Sequence, residues 1–278
     1  MSQGGLGGSS PQAILRALET VRDPELDKPI TSLGFVASCT VSADGDARVR
    51  LRLPTYFCAP NFAFLMVADT YEAVAGTPGV RSAAVVLEDH FASDSINAGV
   101  AARAGFVASF GGEAAAELDE LRAQFLRKAV MAGTDQVCRP LLASGTTPER
   151  LRELTLADVP PSRELDRLRQ RRAELGLPAG DDALLLIDPE TGAAVTADAV
   201  PLHLRRARVT QAGIEANTSM CTGMLAHRYP PRTGLREVRD PGGPEVRGTA
   251  SEGADGRFRR RSEGRADGIF PIGPAPKS

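Results

Sequence analysis

Three short stretches hold the side chains that could do chemistry. Asp23-Pro24-Glu25 sets two carboxylates around a proline, Thr55-Tyr56-Phe57-Cys58 sets a hydroxyl three residues before a thiol, and Glu88-Asp89-His90 sets two acids beside an imidazole. The remaining candidates are scattered: Cys39, Cys138 and Cys221 among the cysteines, His203 and His227 among the histidines. A thiolate is a nucleophile and a soft metal ligand, whereas a buried thiol is a small apolar filler. Position separates these roles. The spacing Cys221-x5-His227 is no zinc-finger interval, and on a helix it turns the two side chains to different faces. A spatial site assembled from Cys58, His90, Cys138 and Cys221 competes with the reading of these residues as unrelated core and surface positions.

The elements that must carry these residues follow from hydrophobic period and punctuation. Ser10-Pro11 is an N-cap and first-turn signal, and Ile14, Leu15, Leu18 and Val21 share one helical face, so a helix is expected to about Arg22. Asp23-Pro24 stops it, which makes DPELDKP a structured loop able to cap its own amides. Phe35, Ala37, Cys39 and Val41 share one face of a strand. Asp44-Gly45 turns it into a second strand with Ala47, Val49, Leu51 and Leu53 inward and Arg48, Arg50 and Arg52 outward. A helix follows from Pro60 and a strand over 80–87. Cys58 therefore stands where a strand hands over to a helix, and the amides of a helix start favour an anion.

The order helix, strand, strand, helix, strand, together with LETVRDPELDKPITSLGFV, LPTYFCAP and TPGVRSAAVVL, resembles the PaaD-like and SufT-like metal-sulfur (iron-sulfur) cluster assembly factors over residues 11–90. Asp23, Pro24 and Glu25 match that family's acidic motif, and Thr55 and Cys58 match its threonine-x-x-cysteine motif. One departure is visible: Ala59 separates Cys58 from Pro60, where members of the family commonly have proline next to the cysteine. The resemblance implies transient handling of iron or an iron-sulfur cluster by Cys58, with His90, Cys138 and Cys221 as weaker metal candidates. It implies a client apo-metalloenzyme and the iron-sulfur assembly machinery as partners. The longer form resembles factors that accompany binuclear-iron monooxygenases. A nucleophilic cysteine enzyme and a metal-free adaptor remain the alternative functions.

The whole chain of 278 residues suits an α+β fold in four parts. These are a flexible N-terminus at 1–9, a small α-β-β-α-β domain at 10–112, a mainly helical accessory domain with one β-hairpin at 113–230, and a disordered tail at 231–278. The tail is rich in Gly and Pro and carries Arg259-Arg260-Arg261. Helices are expected from Glu113 to Met131, after Thr147, and over 162–175, with the hairpin turning on Pro189-Glu190-Thr191-Gly192. A formal charge of -2 offers no footprint for nucleic acid or an anionic membrane. No apolar run reaches the roughly 18 residues of a spanning helix, and four cysteines without a CxxC pair suit a reducing, cytoplasmic setting. A homodimer is among the assemblies the sequence admits. GGLGGSS lacks a P-loop lysine, and no GxSxG, HExxH or paired ExxH units occur.

Overall fold

A computed structural model describes residues 10–110 and 118–230. The expected flexible N-terminus, the 111–112 boundary, the helix start at Glu113 and the expected disordered tail all lie outside these residues. The architecture is α+β, a three-stranded sheet with helices followed by a helical region.

Helix α1, Pro11–Leu18, begins as its sequence demands: the Ser10 side chain accepts from the Ala13 amide at 3.2 Å and Pro11 fills the first turn. It stops four residues before the expected end. Arg22 and Asp23 leave it to form β1, Arg22–Asp23, which pairs antiparallel with β2, Lys28–Pro29. This two-residue ladder closes the DPELD loop. β3, Val36–Val41, and β4, Asp46–Arg52, form the expected antiparallel hairpin. A register shift between Val36 and Ser38 leaves Ala37 exposed, contrary to strict alternation, because an extra residue in one strand turns its neighbours to opposite faces. β4 has no such break, and Ala47, Val49 and Leu51 are buried as expected.

Helix α2, Pro60–Ala75, crosses over to β5, Ser82–Glu88, which runs parallel to β4, giving the order β3-β4-β5. A parallel partner needs a crossover of this length, and the connection brings the β4–α2 loop and the end of β5 to the same edge. Two short helices, α3 at Ser93–Ala101 and α4 at Phe106–Ser109, follow β5.

The second region carries α5, Asp119–Ala143, α6, Pro148–Glu153, α7, Arg163–Glu174, and α8, Val200–Arg228. Thr147 and Ser162 cap α6 and α7 through their side chains, accepting from Arg150 at 3.3 Å and Leu165 at 3.2 Å. The expected hairpin narrows to a single bridge, Ile187 to Ala194. Its turn is held by the Asp188 carboxylate, which accepts from the Glu190 and Thr191 amides, and by Gly192 at φ +73°.

Two cores result. The first joins Ile14, Leu18, Phe35, Val49, Leu51 and Val67, and it also takes in Leu118 and Leu225 from the second region. The second is built from Val130, Val137, Cys138, Leu151, Leu168 and Leu186, with Val200 from the start of α8. α5 and α8 therefore each contribute to both cores or to packing against them. Among the described residues no helix is long and apolar enough to cross a membrane.

Candidate functional site

The DPE loop is organised by its own aspartate. Asp23 is buried, and its Oδ1 accepts from the Glu25 amide at 2.9 Å and the Leu26 amide at 2.8 Å. Burial pushes this carboxyl up to about 6, against the pull of those two amides and of Lys128. Glu25 points the other way. Its Oε1 accepts from Asn217 Nδ2 on α8 at 3.2 Å and lies 3.6 Å from Lys128 Nζ on α5. One short loop thus ties the sheet domain to both long helices.

Cys58 stands in the loop between β4 and α2, two residues before the first helical residue Pro60. Its sulfur is half-buried and lies 3.3 Å from Thr55 Oγ1, a contact in which either group can donate. The loop is fastened from behind by the segment after β5. His90 is 2% exposed, and its Nδ1 accepts from the Ala92 amide at 3.2 Å. Nε2 therefore carries the proton and donates to the Cys58 carbonyl at 2.7 Å. The Phe91 amide donates to the Tyr56 carbonyl at 3.2 Å. Burial lowers the His90 basicity, the Cys58 carbonyl raises it, and Arg228 lowers it again.

These bonds occupy one of the weaker metal candidates. Both ring nitrogens of His90 are engaged, so this residue positions Cys58 and presents no free nitrogen to an ion. Cys138 belongs to the second core, with Asp135 and Arg172 as its charged neighbours, and burial pushes its thiol up to about 12. It is a core thiol, as is Cys39, which packs against the first core from β3. Cys221 is different. It packs against the first core, as Cys58 also does, and its thiol is pushed up to about 11, by burial first and then by Asp23, Cys58 and Glu25. The structure brings Asp23, Glu25, Thr55, Cys58 and Cys221 to one place, with Pro24 shaping the loop.

Two features of this place had little sequence signal. Tyr56, Phe57 and Phe91 are exposed by 47%, 77% and 49%, with ring centroids 5.0 to 6.3 Å apart, and form an aromatic cluster beside the thiol loop. The end of α8 clamps the same edge: Arg228 donates to the carbonyls of Leu53 at 3.2 Å and Asp89 at 2.5 Å, and Tyr229 Oη donates to Asp89 Oδ2 at 2.9 Å. The adjacent aromatics Tyr56 and Phe57, just before Cys58, were the available clue to the first. Nothing local announces the second.

Among the described residues no group of three or more His, Cys, Asp or Glu side chains is arranged to hold a metal ion by itself. The arrangement can offer soft sulfur to a passing ion while leaving other coordination positions to a partner.

Comparison with known proteins agrees with this geometry. Residues 11–86 match the family model described as iron-sulfur cluster assembly protein. An uncharacterized protein of Methanocaldococcus jannaschii is 30% identical over 84 residues, a stretch covering 30% of this chain and 86% of that protein. No solved structure matches the chain. The matched span holds α1, the DPE loop, the hairpin, Cys58 and most of β5, and through it the chain belongs to the iron-sulfur cluster assembly protein family.

Proposed function

We propose that the protein is a non-enzymatic, cytoplasmic maturation factor of the PaaD-like and SufT-like kind, which takes up iron or an iron-sulfur cluster at Cys58 and delivers it to a client apo-metalloenzyme. The observation that carries this reading is the setting of Cys58. Its backbone is fixed by a buried histidine, its sulfur is partly accessible, and exposed aromatic rings flank it. A rigid mount with an accessible soft donor suits transfer by exchange of ligands, and the apolar rim suits a partner that must come close enough to receive the cargo. The iron-sulfur assembly machinery would load the site. A binuclear-iron monooxygenase is the client class we favour, with 10–112 as the cargo-handling domain and 113–230 as the part that selects the client.

A nucleophilic enzyme finds no supporting group here. His90 has both nitrogens engaged, His203 is buried in the second region, and His227 is exposed on the last turn of α8. The test is replacement of the thiol. Cys58→Ser should fold at normal level and fail to activate the client in a complementation assay. Full complementation by that variant would remove the thiol from the function.

A further inference from the structure

Cys221 lies outside the segment matched by the family, on a helix that reaches back over the site. Asn217, Cys221 and Leu225 follow one another at intervals of four on α8, so they share a face, and Arg228 falls on the same face two turns on from Cys221. The contacts on either side of Cys221 show where this face points. Asn217 bonds Glu25 of the DPE loop, Leu225 is buried in the first core next to Gly34, and Arg228 holds the Leu53 carbonyl at the start of the Cys58 loop. Cys221 sits between these anchors and packs against the first core together with Cys58.

We propose that Cys221 is the second soft donor of the Cys58 site, so that α8 and the small domain together grip a thiophilic divalent metal ion between two thiolates. The inference rests on the proposed role of Cys58 and adds a residue to it. On binding, each sulfur uses a lone pair to bond the ion and gives its proton to the buffer; two thiols and one dication yield a neutral dithiolate unit and two released protons, with no change of oxidation state. The surroundings favour a cation. Asp23 and Glu25 of the DPE loop both act on the Cys221 thiol, and of the cations Lys128 stands against them, 3.6 Å from Glu25 and also acting on Asp23. Two protein donors leave the rest of the coordination sphere open, as a site that must hand its cargo on requires.

The test uses the full chain under anaerobic conditions with Cd²⁺ as the probe, followed by the ultraviolet sulfur-to-metal charge-transfer band. Cys58→Ser and Cys221→Ser should each lower the band per bound ion to about half and weaken binding about tenfold or more, the scale expected when a metal site is damaged. The double variant should show no band, and Cys39→Ser and Cys138→Ser should match the wild type. Phenylarsine oxide, which needs two neighbouring thiols, should label the wild type and neither single variant. That second probe reads the pair directly in the unaltered chain, so it does not depend on how well a variant folds. A Cys221→Ser protein with the wild-type band and wild-type arsenical binding would overturn the two-thiol site and leave the Cys58 reading intact. Loss of neither signal in Cys58→Ser would overturn both.

Discussion

At the scale of single residues, Asp23 is held at a cost. Its carboxyl is buried, and its value is raised from 3.8 to about 6, chiefly by loss of solvent. The folded state therefore binds a proton more readily than the unfolded chain. Its favourable contribution is complete below about pH 4 and is lost as pH rises through about 6, a difference of about 3 kcal/mol. Asp23→Asn keeps an oxygen for the Glu25 and Leu26 amides and removes the buried charge. This variant should be more stable than the wild type at pH 8 by about 2 kcal/mol, with the two converging near pH 4, as read from urea midpoints. A variant less stable at pH 8 would mean that Lys128 and the two amides more than compensate for burial. The acidic motif was legible in the sequence, and so was its ability to cap amides. Its burial was not, because α5 and α8, which pack beside it, are distant in the chain.

At the scale of elements, the parts of the fold with local signatures were readable and those fixed by packing were not. Ser10-Pro11 and Thr147-Pro148 announce helix starts, and the alternation in β4 announces a half-buried strand; each appears in place. The bulge at Ala37 and the extension of α5 to Ala143 through Pro140 had no such marker, and α8 has Pro201 in its first turn but no side-chain cap. α8 meets two different cores along its length, so its buried residues, Val200, His203, Ala207, Gln211, Ile214 and Leu225, mix polar and apolar types and blur the helical stripe. For the same reason Cys58 was legible as a candidate from its loop, while the closeness of Cys221 was not. Leu225 tests how α8 is seated. If it is a member of the first core, Leu225→Ala should lower global stability by about 2–4 kcal/mol in denaturant unfolding. A change under about 0.5 kcal/mol would show that this end of α8 merely rests on the surface.

At the scale of the whole molecule, the family's small domain has been extended by helices that enter its own core. Arg122 of α5 makes a two-pronged pair with Asp69 of α2 at 2.8 Å for both bonds, Phe125 meets Phe62 edge to face at 4.9 Å, and Leu118, Leu121, Cys221, Leu225 and Tyr229 all pack against the first core. The sheet and α1–α4 nonetheless contain the greater part of that core within residues 10–110. A fragment of residues 10–112 should therefore fold to the same β3-β4-β5 sheet and unfold at a lower urea concentration than the full chain. Surface ion pairs contribute little, so most of the lost stability should come from the apolar contacts of Phe125 and Leu225. Circular dichroism and urea unfolding of the fragment beside the full chain make the comparison. A fragment that does not fold would show that 10–112 is not a domain, and one with an unchanged midpoint would show that the helices add nothing to its core. The expected result, a folded but weaker fragment, would mean that the small domain folds by itself and that the helical region adds stability to it through the core they share.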